Sequence, residues 1–166
     1  MADTIRPVTP RLLIETLRLA NHGAVDPSLL SRSLWVSPGR SFEILRQLQK
    51  MGLLEREVDG HCRMTSRGEA LFGAATRKDP NELHRVLMDY EPYAAVYGVL
   101  ENSPVNIRDL ESSAGVNQVA AETLLRLVSW ATGRLKKNRT TGGYYVSSTQ
   151  SPTRHAFLQA VHEFFQ

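Results

Sequence analysis

Residues 37–66 read SPGRSFEILRQLQKMGLLEREVDGHCRMTS and contain the clearest secondary-structure signals of the chain. Ser37 is suited to cap a helix, and Pro38 to occupy its first turn, where a missing N–H costs little. Gly52 is placed to end that helix with a positive φ. The segments LLEREV and HCRM then flank an Asp-Gly pair that is typical of a two-residue type I′ turn. The stretch therefore predicts a capped helix, a glycine stop and a tight hairpin.

The predicted helix has two different faces. Ser41, Leu45 and Leu48 recur at spacings of three and four, which places them together on one side. The remaining face is polar and charged. It would expose Arg40, Glu43, Arg46, Gln47 and Lys50.

The flanking segments predict further helices around this stretch. Residues 1–8 are expected to form a flexible arm, and Thr9-Pro10 to begin a first helix. Asp26-Pro27 is suited to cap a short second helix, and Thr65 a helix that follows the hairpin. Three helices followed by a hairpin are the arrangement of a helix-turn-helix with a wing.

The second half of the chain repeats this pattern. Equivalent core and capping positions lie 80 residues apart, and the two glycine stops lie 81 apart, as in Val25/Val105, Leu30/Leu110, Ser37/Asn117 and Gly52/Gly133. Such an internal offset indicates a duplicated unit. The predicted fold is mainly α with small β-hairpin wings: two tandem winged-helix domains at 9–78 and 79–149, then an amphipathic C-terminal helix at 150–166.

A family resemblance follows from these residues. Residues 12–72 resemble the winged-helix domains of bacterial and archaeal transcription regulators of the MarR, ArsR and PadR kind. The resemblance rests on Ser37, Leu45, Leu48, Gly52-Leu53 and the run Met64-Thr65-Ser66-Arg67-Gly68-Glu69-Ala70-Leu71. It implies a regulator whose helix 38–51 enters the major groove of duplex DNA, with the wing at 53–64 beside the phosphates.

The hairpin supplies further candidate DNA contacts. With a two-residue turn, Arg56 would lie directly opposite Arg63, a like-charge pair that is unfavourable by a few tenths of a kcal/mol (about 0.2–1). A phosphate beside them would remove that cost, and a protonated His61 would join them. The alternative is that these arginines pair with the hairpin's own carboxylates. In the second unit the candidates are Arg126, Lys136, Lys137 and Arg139, which are equally consistent with an ordinary solvated surface.

The charge distribution favours the first half as the DNA-binding part. The chain of 166 residues has a net charge of +3, and residues 1–80 hold 12 Lys/Arg against 9 Asp/Glu, whereas residues 81–166 hold 8 of each. A modest basic excess is compatible with a polyanionic partner.

Several other classes of function are disfavoured by the sequence. One cysteine, Cys62, and five histidines without ligand spacing predict no metal site, no cofactor and no disulfide. Motifs for phosphate loops, nucleophiles or paired carboxylates are missing, so an enzyme is not expected. Neither a membrane-spanning run nor a signal peptide is recognisable, so a cytoplasmic location is expected.

The expected partner is duplex DNA, bound by a transcription regulator. Phe157, Val161 and Phe164 form an apolar stripe on the C-terminal helix, which would serve a homodimer, a protein partner or packing on its own domain. The alternative function is a protein–protein interaction module, or an adaptor subunit of a larger nucleic-acid-handling complex. Glu43 favours that alternative, because a carboxylate on the reading face repels phosphate.

Overall fold

The computed structural model describes residues 7–147, and this part of the chain forms eight helices and four short strands. Two antiparallel two-stranded hairpins, β1–β2 and β3–β4, are its only sheets within that range. The elements are α1 (Pro10–His22), α2 (Pro27–Leu34), α3 (Pro38–Lys50), β1 (Leu54–Arg56), β2 (Cys62–Met64), α4 (Ser66–Arg77), α5 (Pro80–Leu87), α6 (Glu91–Asn102), α7 (Ile107–Ala114), α8 (Gln118–Thr132), β3 (Leu135–Lys137) and β4 (Tyr144–Val146).

Side-chain caps begin α2 and α3 where the sequence predicts them, whereas Thr9 precedes α1 without a side-chain cap bond. Asp26 Oδ1 accepts from the backbone N–H of Leu29 at 2.7 Å, and begins α2. Ser37 Oγ accepts from the N–H of Arg40 at 3.1 Å, and begins α3. Each bond satisfies one of the otherwise unpaired N–H groups of a first turn and typically stabilises a helix by about 1 kcal/mol. The predicted starts of both helices are confirmed.

The first hairpin has a different register from the predicted one. The N–H of Gly60 donates to the carbonyl of Glu57 at 3.0 Å, and Gly60 has a φ of 87°. The loop therefore holds one residue more than a type I′ turn, which shifts the pairing by one position. Arg56 lies opposite Cys62, and Arg63 lies opposite Glu55. The prediction that Arg56 faces Arg63 is wrong.

The second hairpin has a longer loop than the first. The N–H of Asn138 donates to the carbonyl of Gly143 at 2.7 Å, which closes a loop between β3 and β4. Lys136 pairs with Tyr145 in the register of this hairpin. Its strands are only three residues long, so the hairpin depends on the helices beneath it.

The backbone plan of residues 10–64, the first unit, recurs in residues 91–146, the second unit. In each unit three helices are followed by a hairpin. A residue just before the middle helix adds an isolated bridge to the hairpin in both: Val25 pairs with Cys62, and Val105 with Tyr144. The internal repeat inferred from spacing thus corresponds to a repeated local architecture.

The helices α4 and α5 lie between the two units. α4 packs against α1 and α5, and α5 packs in turn against α8. Buried side chains from both units belong to one hydrophobic cluster, in which Leu17 and Leu30 of the first unit and Leu110 and Leu124 of the second are fully buried. The predicted boundary at residues 78–80 coincides with the break between α4 and α5, and the division into two domains stays a prediction.

The ends of the chain differ from the prediction in one respect. Pro7 and Val8 are buried, and Val8 is fully enclosed in the core. The predicted flexible arm of residues 1–8 is corrected at these two positions, because an apolar side chain there packs under the helices. Residues 1–6 and the predicted C-terminal helix at 150–166 lie outside the described residues. Among residues 7–147, no helix has the length and hydrophobicity needed to cross a membrane.

Candidate nucleic-acid interface

The buried face of α3 is wider than the sequence pattern indicates. Ile44, Leu45 and Leu48 are buried, because α3 packs against α1, α2 and β1. Gln47 is also buried, with 6% of its surface exposed. The prediction that Gln47 lies on the exposed face is therefore wrong: it lies next to Ile44 at the edge of the buried face.

The outer face of α3 carries the other four predicted residues. Arg46 and Lys50 are exposed, whereas Arg40 and Glu43 are half-buried. Arg40 Nη1 lies 3.1 Å from Glu43 Oε2, one turn along the helix. The arginine expected to read base edges is thus paired with the carboxylate that the sequence marks as unfavourable for DNA.

The first hairpin also holds its charges in internal contacts. Arg63 Nε lies 2.6 Å from Glu57 Oε1, two positions away from its cross-strand neighbour Glu55. The side chain of Arg56 points to the other face of the hairpin and is exposed. The two arginines therefore lie on opposite faces, since side chains alternate along a strand.

His61 links the hairpin loop to the start of α2. Its Nε2 lies 3.3 Å from Asp26 Oδ2, and its Nδ1 lies 3.3 Å from Asp59 Oδ2. The backbone N–H of His61 also donates to Asp59 Oδ1, and this bond lowers the pKa of the Asp59 carboxyl. His61 is therefore surrounded by carboxylates, and the acidic groups here offset the basic ones of the hairpin.

An open groove of about 680 Å³ runs between α3 and the first hairpin. Arg46 comes from α3 and Arg56 from β1, and both line this groove. At its floor, Gln49 Nε2 lies 3.6 Å from the sulfur of Cys62. Burial raises the pKa of the Cys62 thiol, so this residue is a poor candidate for a reactive thiolate.

Two exposed aromatic residues were missed by the sequence reasoning. Phe42 on α3 is 64% exposed, and with Pro27 and Pro38 it lines an apolar depression of about 490 Å³. Trp35, at the end of α2, is 93% exposed and has a φ of 58°, a conformation that bulky residues rarely adopt. The signal that was available is the repeat, because Trp35 aligns with Gly115, which has a φ of 69°.

The predicted basic residues of the second unit are all exposed, but only Arg126 lies on α8, its third helix. Arg126 lines a groove of about 470 Å³ with Ile107 and Tyr144. Lys136 and Lys137 lie on β3, and the ammonium of Lys137 lies 5.4 Å from the centre of the Tyr144 ring. Arg139 is exposed in the following loop.

A polar cluster lies under the second hairpin. Arg134 donates from Nη2 to the Tyr97 hydroxyl at 2.7 Å and from Nη1 to the carbonyl of Ser147 at 3.2 Å. His84 Nδ1 lies 2.9 Å from the Tyr93 hydroxyl, and burial lowers the pKa of His84. This cluster ties α5 and α6 to the hairpin. Within residues 7–147, no three His, Cys, Asp or Glu side chains come together as metal ligands.

Known proteins offer no template for this surface. No protein-family model matches the chain, and neither curated proteins nor solved structures contain a significant match. Its function has to be argued from the positions and charges of its own residues.

Proposed function

We propose that this chain is a DNA-binding protein that regulates transcription, built from two tandem winged-helix domains with α3 as the recognition helix. The observation that carries the proposal is the groove shared by Arg46 of α3 and Arg56 of β1. A recognition helix and a wing contact DNA from the same side, and this groove places one arginine on each, beside the carboxylates of Asp26, Glu43 and Asp59. Lys50 on α3 and Arg63 on β2 are also exposed, outside the lining of this groove.

The internal ion pairs do not prevent DNA binding. The pairs Arg40–Glu43 and Arg63–Glu57 are solvent-accessible at both partners. Exposed pairs of this kind are typically worth about 0–1 kcal/mol. A phosphate contact is favoured by counterion release and offsets the loss of such a pair. The arginines can therefore exchange a carboxylate for a DNA backbone.

The Arg40–Glu43 pair also suits base reading. The two side chains lie together in the first turns of α3, the part of a recognition helix that reaches base edges. Arginine binds guanine O6 and N7, and glutamate accepts from cytosine N4. Together they favour a site that contains G·C pairs under this end of the helix.

The regulatory mechanism we propose is steric: the bound protein occupies duplex DNA that other proteins need. Arg46 and Arg56 would contact phosphates from the groove, and Lys50 and Arg63 would contact them from the exposed surfaces of α3 and β2 outside it. The second unit would add weaker phosphate contacts through Arg126, Lys136, Lys137 and Arg139. A homodimer through Phe157, Val161 and Phe164 stays a prediction, because these residues lie outside the described part of the chain.

Fluorescence anisotropy with labelled duplexes of random and G·C-rich sequence tests the proposal. Binding is expected to weaken steeply between about 50 and 200 mM salt, because phosphate contacts release counterions. Arg40→Ala is expected to alter sequence preference, and Arg56→Ala to weaken all duplexes alike with a flatter salt slope. Absence of binding to every duplex at the lower salt concentration would contradict the proposal.

A protein-interaction module is the second candidate. Phe42, Pro27 and Pro38 line an apolar depression, Trp35 at the end of α2 is also exposed, and aromatic residues are enriched at protein interfaces. The alternation of acidic and basic groups around His61 also fits a protein partner. The substitution Phe42→Ser separates the two candidates: it would abolish capture of a protein partner, whereas DNA affinity would retain its salt slope.

A further inference from the structure

Arg40, in the first turn of α3, and the first residues of α8 line one groove of about 590 Å³. Arg40 is the α3 residue that lines this groove, and most of the other lining residues come from the start of α8. α8 packs against α1, which holds it beside the first unit. The lining residues are Pro7, Thr9, Arg40, Asn117, Gln118, Val119 and Thr123.

This convergence limits how the two helices can share DNA. Two recognition helices that read successive half-sites lie about 34 Å apart, one turn of the duplex. Arg40 and Gln118 border one groove of about 590 Å³, which is the size of a single small-molecule pocket. We therefore expect Arg40 and Gln118 to face neighbouring base pairs of one site, since residues that line one groove of this size lie closer together than successive half-sites.

We propose that α3 and α8 form one composite DNA-reading surface, in which Gln118 is a specificity-determining residue for a base pair next to the site of Arg40. The inference rests on the proposed function in DNA binding. It assigns the second unit a role in the same recognition site, in place of a separate half-site or a purely electrostatic role.

The surroundings of Gln118 distinguish it from its neighbours. The Asn117 side chain accepts from the N–H of Ala120 at 2.8 Å, so its oxygen serves the helix cap. Gln118 is exposed, and its Nε2 donates to Glu122 Oε1 at 3.3 Å. Glu122 thereby holds the amide at the end of α8 as a positioning residue. A glutamine amide matches adenine N6 and N7 in the major groove.

Val119 supports the same interpretation. It is 68% exposed at the edge of the groove, although it is apolar. An apolar side chain beside a glutamine can contact the methyl group of thymine, the partner base of adenine. The pair Gln118–Val119 therefore fits an A·T pair, next to the G·C preference of Arg40 and Glu43.

Hydroxyl-radical footprinting of the full chain, combined with selection of binding sites, tests the inference. One bound protomer, with stoichiometry measured by sedimentation, is expected to protect a single continuous stretch. Gln118→Ala is expected to lose about tenfold discrimination at one base pair. Glu122→Ala should reduce this discrimination partially, and Ser129→Ala, exposed three turns further along α8, should leave it unchanged.

The outcomes separate the inference from the proposed function. Two protected stretches about 10 base pairs apart for one protomer would overturn the inference and leave DNA binding in place. Unchanged sequence preference in a folded Gln118→Ala variant would overturn it as well. If the wild-type chain protects no DNA, both the proposed function and the inference fail.

Discussion

At equivalent places in the two units, Asp26 caps α2 and Asn106 caps α7, each by accepting an N–H three residues ahead. The residues that end these helices differ sharply: Trp35 and Gly115 adopt nearly the same left-handed conformation. Glycine adopts it without strain, whereas an exposed tryptophan does not. The backbone plan is shared, and the first unit bears a cost that the second avoids.

The exposed residues of the third helices, α3 and α8, also differ between the two units. On the third helix of each unit, the exposed Arg46 corresponds to the exposed Arg126, but the exposed Lys50 corresponds to the half-buried Trp130, and the exposed Phe42 corresponds to the exposed Glu122. The two units share an order of helices and strands but expose different side chains, so we expect the function of each unit to depend on its surface residues.

Charge reversal should affect the two units unequally. Arg46→Glu with Arg56→Glu places negative charge on the groove of the first unit and is expected to weaken DNA binding about a hundredfold. The matched control, Lys136→Glu with Lys137→Glu on β3, should weaken it by about threefold to tenfold. Anisotropy titrations of both variants measure the difference. Equal losses would show that the two units contribute equally.

Alanine substitutions at Gly68 and Gly98 should change stability in opposite directions. A Cβ at Gly68 would lie 2.2 Å from the carbonyl oxygen of Leu53 and 2.6 Å from Cγ of Met64. Gly68→Ala should therefore lower the free energy of unfolding by about 1–3 kcal/mol. A Cβ at Gly98 meets no atom within 4 Å, so Gly98→Ala on α6 should raise it by about 0.5–1 kcal/mol. Urea unfolding of each variant checks both signs.

Exchange at the left-handed position should also change stability in opposite directions. Trp35→Gly removes the strain of a bulky residue at φ 58° and is expected to stabilise the fold by about 0.5–1 kcal/mol net of the entropy of glycine. Gly115→Ala introduces the corresponding strain in the second unit and should destabilise by about 1 kcal/mol. If Trp35→Gly destabilises the protein, the tryptophan has packing interactions that outweigh its strain.

The His84 cluster predicts a dependence of stability on pH. Burial, followed by the charge of Arg134, lowers the pKa of His84 below its ordinary value of 6.5. The unfolded chain therefore binds this proton more readily, so the stabilising contribution is full above that value and is lost as pH falls through the folded pKa. Urea midpoints at about pH 7.5 and about pH 5.5 should differ less for His84→Gln than for wild type.

Local signals account for the features that were predictable from sequence. The caps at Ser37 and Asp26 and the end of α8 at Gly133 depend only on backbone groups a few residues away. The local sequence is therefore sufficient to predict them. The repeat offset likewise predicted the second hairpin. A mainly helical fold with two small hairpins followed from these signals.

The errors arose where packing or one residue of register decides the outcome. Gln47 is buried because α1, α2 and β1 all pack against α3. Helical spacing alone does not predict how many elements surround a helix. The turn at Gly60 holds one residue more than the Asp-Gly pair suggested. Arg56 therefore pairs with Cys62, and Arg63 pairs with Glu55, instead of the two arginines facing each other. The meeting of α3 and α8 at one groove depends on tertiary packing, which no local pattern contains.

The central claim is that the first unit binds duplex DNA through α3 and its hairpin. The most direct measurement is an anisotropy titration of wild type and Arg56→Ala on the same duplex at about 50 and 200 mM salt. The account predicts salt-dependent binding by wild type, with the magnitude of the log–log salt slope reduced by about one in the variant. Binding with an unchanged slope, or no binding at the lower salt concentration, would contradict it.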